Sequence, residues 1–175
     1  MKIAKERRAI DAALDNYRSQ LDTIPDDLFD VTPPGGGWSF AEVYSHILQA
    51  TIGSAIAAER CANGTCELTK KGLTVLGRLV LFFGSLPPIK VKVPAAEAAR
   101  MKVTKLTKEE ARNLLIKCRS RVDTITSRIN DAPPGSRFKH SRFGMMNAGQ
   151  WYKFILIHLT HHLAQLERIK NKFSI

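Results

Sequence analysis

Four long stretches of this chain carry apolar residues at the three- and four-residue spacing of an amphipathic α-helix, and this periodicity limits the possible folds most strongly. The stretches cover about residues 4–24, 39–64, 107–130 and 147–171. In the first of them Ile10, Leu14, Tyr17 and Leu21 fall on one side of the helix. The pattern predicts an all-α protein.

Start and stop signals support the same four helices. Ser39 is followed by Glu42, and Asn147 by Gln150, the three-residue spacing of a capping box, in which each side chain bonds the backbone amide of the other. The segment TKEE, which starts at Thr107, has the same signature. Proline or glycine ends the first three patterns, at Pro25, at Asn63-Gly64 and in DAPPG. We therefore expect helices with defined ends.

The connection between helices two and three, residues 64–106, is too long for a simple turn. Within it residues 73–83 predict a short helix, and PPIKVKVP predicts an extended piece. Such a crossover could run the full length of a bundle and leave helices two and three parallel. We predict a four-helix bundle with one long crossover, in a single domain spanning residues 1–175.

The net charge of +11, from 27 basic and 16 acidic residues, fits a nucleic acid, an anionic membrane surface or an anionic small substrate as a partner. The basic segments KERR, RMKVTKLTK and SRFKHSR are spread along the chain. They contain no recognisable nucleic-acid-binding motif, so solvated surfaces are the favoured interpretation and nucleic acid is not the favoured partner.

The remaining composition favours a cytoplasmic protein with reduced thiols. The cysteines Cys61, Cys66 and Cys118 are odd in number and form no C-x-x-C motif. The N-terminal segment MKIAKERRAIDAALD is charged, unlike a secretory signal. No apolar stretch approaches the ~20 residues that a membrane helix needs. We expect no membrane partner.

Three of the five histidines lie in the segment IHLTHHLAQ of the fourth helix. His158 and His162 are four residues apart, so their side chains lie on one face and can reach one ion. Both belong to the inward line that also contains Trp151 and Leu166, whereas the line through His161 turns toward charged residues. We expect His161 to lie at the flank.

A third ligand is predicted at His46, on the apolar side of helix two. Small residues follow on the same helix and would leave room beside an ion: Ala50, Gly53, Ser54 and Ala57. Three neutral imidazoles would leave a divalent ion its full charge and an open position. Ordinary core histidines are the alternative interpretation. His140 is read as a surface loop residue without a partner.

Two segments resemble the DinB/YfiT-like metalloenzyme superfamily. GGWSFAEVYSHIL resembles its tryptophan-led entry into helix two, and the last helix carries its H-x-x-H-H-x-x-Q pattern. The long crossover is a third point of likeness. The resemblance places the metal ligands at His46, His158 and His162. It implies a four-helix bundle, a divalent ion such as zinc or nickel, a homodimer, and in some members a low-molecular-weight thiol as cosubstrate.

These observations favour a metal-dependent enzyme that transfers a small thiol or hydrolyses a small substrate. The general base is not identified, and Gln49, Glu59 and Gln165 are the candidates for handling a proton or orienting a ligand. Glu42 is explained by its capping box. Two alternatives stay open: a basic nucleic-acid-binding helical protein, and a non-catalytic dimer stabilised by metal.

Overall fold

A computed structural model of the chain describes residues 3–87 and 103–175. Its helices are α1 (Ile3–Thr23), α2 (Phe40–Ala62), α3 (Val75–Phe83), α4 (Lys108–Thr126) and α5 (Ala148–Phe173), and its strands are β1 (Glu67–Leu68), β2 (Ser136–His140) and β3 (Gly144–Met146). Short 3₁₀ turns cover Asp26–Leu28 and Ile129–Asp131. The four predicted long helices are therefore present, and the all-α four-helix bundle is confirmed.

The predicted capping boxes form at the starts of α2, α4 and α5. At α2 the Ser39 amide donates to Glu42 Oε2 over 2.8 Å, and the Glu42 amide donates to Ser39 Oγ over 3.3 Å. At α5 the Asn147 amide donates to Gln150 Oε1 over 2.9 Å. These bonds satisfy amides that the helix itself leaves free, so each helix starts at a defined residue.

Helices α2 and α4 run parallel, as the long crossover predicted. Near the start of both elements the Thr104 amide donates to Ser45 Oγ over 3.2 Å. Farther along both helices Arg121 Nη1 donates to Glu59 Oε2 over 2.7 Å. The second contact lies closer to the C-terminus than the first on both helices, so the two helix axes point the same way.

Helix α1 runs antiparallel to α4 along a line of ion pairs. Arg7 near the start of α1 pairs with Asp123, and Asp22 near its end pairs with Arg112 over 2.9 Å. The intervening Arg119 reaches Asp11 over 2.6 Å. At least one partner of each pair is partly exposed to solvent, so each pair contributes little to stability.

Helix α5 runs antiparallel to α2, and this pairing sets the position of the histidines. The Phe40 ring at the start of α2 stacks on Phe173 at the end of α5, with centroids 5.9 Å apart. At the opposite end Cys61 Sγ lies 3.7 Å from the Met146 carbonyl oxygen. Residues in the first two turns of α2 therefore face the second half of α5.

Large buried side chains from the four long helices form the core, and two tyrosines join three of these helices through their hydroxyl groups. Tyr17 donates to the Leu159 carbonyl over 2.8 Å, and Tyr44 donates to the Tyr17 carbonyl over 2.7 Å. Both tyrosines are fully buried. These two hydrogen bonds satisfy the buried tyrosine hydroxyl groups and join α1, α2 and α5.

The crossover contains more structure than its sequence predicted. The short helix expected at residues 73–83 is present as α3, and β1 pairs with β2, which pairs with β3, in a small antiparallel sheet. Gly77 of α3 packs so closely on the turn before β3 that an added Cβ would lie 2.6 Å from the Phe143 oxygen. The predicted extended segment PPIKVKVP lies, apart from its first residue, outside the described residues.

Within the described residues, no helix is both long enough and apolar enough to cross a bilayer.

Candidate metal centre

Two helices contribute the three predicted ligand residues. His46 lies two turns into α2, and His158 and His162 lie one turn apart on α5. The antiparallel packing of these helices brings one ring nitrogen of each residue within 4.8 Å of the other two. His162 is buried, and the other two rings are half-buried. The structure therefore brings together the three histidines that the sequence singled out.

The spacing of these nitrogens suits a small ion. The Nε2 atoms of His158 and His162 are 3.0 Å apart. Ligand nitrogens that bind a tetrahedral ion at roughly 2.0–2.1 Å lie about 3.3 Å from one another. The ring centroid of His46 is 5.2 Å from that of His158 and 4.8 Å from that of His162. Small side-chain rotations would bring this set to the ligand distances of a divalent metal.

Hydrogen bonding fixes the tautomer of His162 and leaves two other ring nitrogens of the cluster without a partner in the described part of the chain. Gln165 Oε1 lies 2.7 Å from His162 Nδ1, so the Nδ1–H donates and the Nε2 lone pair points toward His158. The Nδ1 atoms of His46 and His158 are buried and have no partner among the described residues. Buried polar atoms without a partner are costly, and a bound ion would change which nitrogens carry protons. The residues present fit a divalent metal.

The electrostatic setting keeps all three imidazoles neutral. Burial, followed by the charge of His161, lowers the pKa of His46 to about 4. Burial, followed by the charge of His46, lowers the pKa of His162 to about 3. The pKa of His158 falls well below its usual value, again mainly because of burial. At neutral pH the rings therefore keep the lone pairs that metal binding needs.

Aromatic side chains enclose the cluster from two sides. The Trp38 ring lies 5.0 Å from the His46 ring, and the Phe154 ring stacks on His158 at 5.2 Å. Trp38 follows Gly35–Gly37, three glycines whose φ angles of 75°, 79° and 106° are unfavourable for other residues. Lys172 Nζ donates to the Gly36 oxygen over 2.9 Å and ties this turn to the end of α5.

His161 lies beside the cluster and outside it. Its ring is half-buried, with its centroid 5.1 Å from that of His162 in an edge-on arrangement. It does not join the group of converging ligand atoms. The helix phase thus separates His161 from His158 and His162, as the sequence predicted.

The interpretation of His140 as a surface residue without a partner was wrong. His140 ends β2, and its Nδ1 accepts from the amides of Arg142 and Phe143 over 3.1 and 3.3 Å. Its ring stacks on Phe143 with centroids 4.3 Å apart and also contacts Trp151 and Phe154. The tight turn between β2 and β3 causes this packing, and strands this short give too little alternation to be recognised in the sequence.

The three candidates for proton handling occupy different places. Gln165 contacts His162 directly. Gln49 is exposed, and its amide donates to Ser45 Oγ over 2.9 Å. Glu59 pairs with Arg121 and lies thirteen residues beyond His46, which is roughly 20 Å along a helix. Of the three, Gln165 is the residue that forms a hydrogen bond with a histidine of the cluster.

Trp38 and Phe154 were not among the predicted site residues. The tryptophan belongs to the segment GGWSF, whose place directly before the capped helix was the available signal. Phe154 lies four residues before His158, on the same face of α5, and reads as an ordinary core residue in the sequence.

Fold and site together define a four-helix bundle protein with a half-buried tris-histidine cluster between two antiparallel helices. Residues 9–166 match the sequence profile of the DinB superfamily, and the chain belongs to that superfamily. Members of this superfamily are often metal-binding. The close approach of the three histidines is consistent with the metal binding that is common in this superfamily.

The structure is similar to the crystal structure of TT2238, a four-helix bundle protein. The superposition covers 95% of this chain and 99% of the TT2238 chain. The TM-score is 0.59 and the sequence identity is 18%, so the likeness shows a shared fold. No curated protein matches this chain.

Proposed function

We propose that this protein is a divalent-metal-dependent enzyme that acts on a small substrate, either transferring a low-molecular-weight thiol or hydrolysing a bond. The convergence of His46, His158 and His162 within 4.8 Å carries the proposal. Three protein ligands and an open position are typical of catalytic sites, whereas structural zinc sites usually have four protein ligands.

The proposal gives the chain's own residues separate tasks. His46, His158 and His162 would hold the ion, and Gln165 would orient His162 by accepting a hydrogen bond from its Nδ1–H group. Trp38 and Phe154 would restrict water around the rings. A divalent ion bound by neutral imidazoles supplies a Lewis acid that lowers the pKa of a coordinated thiol or water. Zinc and nickel both suit imidazole ligands.

Proton transfer limits the chemistry. Among the described residues, no aspartate or glutamate belongs to the group of converging ligand atoms. The residue after His158 is Leu159, at the position where an H-E-x-x-H metalloprotease has its glutamate base. The arrangement suits the transfer of a thiol better than peptide hydrolysis, because a coordinated thiol needs less help to lose its proton than water does.

Metal content of the purified protein is the first test. We expect about one equivalent of divalent metal per chain by elemental analysis, and its loss in the His46→Ala, His158→Ala and His162→Ala variants. His161→Ala is the matched control, because it removes a neighbouring imidazole that lies outside the cluster. Native protein that contains no metal and takes up none on reconstitution would contradict the proposal.

Activity separates the two reaction types. Metal-loaded protein would be mixed with small thiols and electrophilic acceptors, and loss of free thiol would be followed with the His158→Ala variant as the blank. A parallel series of small esters and amides without thiol tests hydrolysis. Turnover in the first series alone identifies a thiol transferase, and turnover in neither, with metal bound, leaves a non-catalytic metal-stabilised dimer as the interpretation.

The net charge of +11 supports a second candidate, binding of nucleic acid. That function predicts affinity that falls steeply with salt and survives chelation of the metal. The ion pairs Arg7–Asp123 and Arg119–Asp11 leave the net charge at +11 but engage two arginines that would otherwise be free for phosphate groups. The homodimer and the cytoplasmic location remain predictions, and sedimentation of the metal-loaded protein tests the first.

A further inference from the structure

A pair of cysteines lies at the end of α2 that is remote from the histidines. Cys61 is in the last turn of α2, and Cys66 directly precedes β1. A tight turn joins them: Gly64 has a φ of 69°, and the Thr65 amide donates to the Arg60 carbonyl over 3.0 Å. The chain therefore folds back on itself and brings the second cysteine against the helix.

The two sulfur atoms are in van der Waals contact. Cys61 Sγ lies 3.5 Å from Cys66 Sγ and donates its proton toward it. Both thiols are free. Formation of a disulfide, with its S–S bond of about 2.05 Å, requires an approach of roughly 1.5 Å, which side-chain rotation at a helix end can supply.

The environments of the two thiols differ in the way that a redox pair needs. Cys61 is fully buried, and burial together with its bond to Cys66 raises its pKa to about 12. Cys66 is half-buried and accepts a hydrogen bond from Cys61, so its sulfur is the one of the two that solvent can reach. Cys66 is therefore the accessible nucleophile, and Cys61 is the thiol that reacts second.

We propose that Cys61 and Cys66 form a redox-active dithiol whose substrate is a small-molecule disulfide. The proposal is independent of the metal centre, because Cys61 lies fifteen residues beyond His46, roughly 22 Å along α2. The spacing C-x-x-x-x-C is not one of the motifs usually interpreted as redox-active. The turn at Gly64 brings the two cysteines together. Disulfides in reducing compartments are mostly catalytic or redox-sensing, which suits such a site.

The reaction balances in two exchange steps. The Cys66 thiolate attacks one sulfur of the substrate, its S–S bond breaks, a mixed disulfide forms on Cys66, and the first thiolate leaves. Cys61 then gives up its proton and attacks Cys66 Sγ, which closes the Cys61–Cys66 bond and expels the second thiolate. The two cysteines lose two electrons, the substrate gains them, and the protons of both cysteines end on the two released thiols.

Glutathione disulfide is the probe for the test, added to the native folded protein. After rapid alkylation, mass spectrometry of the peptide containing residues 61–66 should show loss of two hydrogen atoms and no alkyl group. Cys118, which is buried in the core with its Sγ 3.4 Å from the Leu48 oxygen, should stay reduced. Cys118→Ser is therefore the matched control and should form the disulfide to the same extent as the parent protein.

Variants at the pair test the order of the steps. Cys61→Ser should accumulate one glutathione adduct per chain at Cys66, whereas Cys66→Ser should react far more slowly because Cys61 is buried. A parent protein that keeps both thiols free, or that stops at an adduct on Cys66, would overturn the proposal without reference to either variant. Equal rates of adduct formation in the two variants would overturn the assigned order.

Discussion

The two ring nitrogens of His162 have different tasks. Nδ1 donates to Gln165, and Nε2 lies 3.0 Å from Nε2 of His158. A ligand histidine commonly donates its other N–H to a protein oxygen, which fixes the tautomer and the ring orientation. At the scale of the residue, the hydrogen bond to Gln165 fixes the tautomer and the ring orientation of one of the three clustered histidines.

Replacement of Gln165 tests this orientation. We expect Gln165→Ala to weaken metal affinity by about 10- to 100-fold, the usual cost of losing such a partner, with little change in the fold. Gln49→Ala is the matched control, because Gln49 is exposed and bonds Ser45 instead. Competition with a chromophoric chelator measures both affinities, and equal affinity in the two variants would rule out an orienting role.

At the scale of the element, the residues that begin α2 lie next to the histidine cluster. Ser39 caps the helix, Trp38 precedes it and packs on His46, and His46 lies seven residues after the cap. The capping box of α4 at Thr107 has the same chemistry, but no histidine of the cluster lies on that helix. Only the cap of α2 therefore begins a helix that carries a histidine of the cluster.

A pair of cap substitutions separates helix stability from site geometry. Ser39→Ala and Thr107→Ala should each lower the free energy of unfolding by about 1 kcal/mol, because each removes one capping hydroxyl group. Only Ser39→Ala should also weaken metal binding, through Trp38 and His46. Urea unfolding and chelator competition on both variants check this, and an equal loss of affinity would show that general destabilisation is the cause.

At the scale of the whole molecule, folding places three neutral imidazoles together away from water. The pKa of His46 falls to about 4 and that of His162 to about 3, whereas an unfolded histidine has a pKa of about 6.5. The unfolded chain therefore binds these protons first as the pH falls. Stability linked to the cluster is present above pH ~6.5 and is lost as the pH falls through the range between the unfolded and folded values.

The pH dependence of unfolding measures this linkage in metal-free protein. Between pH 6.5 and 5 each buried histidine should lower the free energy of unfolding by up to about 1.4 kcal/mol per pH unit. His46→Gln should reduce the slope of the unfolding free energy against pH by the contribution of about one proton. The carboxylates contribute equally in the parent and the variant, so they cancel in the comparison. Parallel slopes for the parent and the variant would show that His46 is not buried neutral in solution.

Much of the site could be predicted because it depends on helix geometry. The spacing of His158 and His162 fixed their shared face, and the stripe through Trp151 and Leu166 fixed which face is inward. The environment of His140 and the ion pair of Glu59 with Arg121 could not be predicted. The first depends on the packing of a short hairpin, and the second on which residue of α4 lies opposite α2.

The sequence by itself determined the four helices, their capped starts and the face that carries the histidines, because periodicity and capping act over a few residues. Tertiary structure decided which side chains meet: His46 with His158 and His162, Trp38 with His46, and Cys61 with Cys66. Such contacts depend on the relative positions of helices and on turns, and these depend on the packing of the whole core.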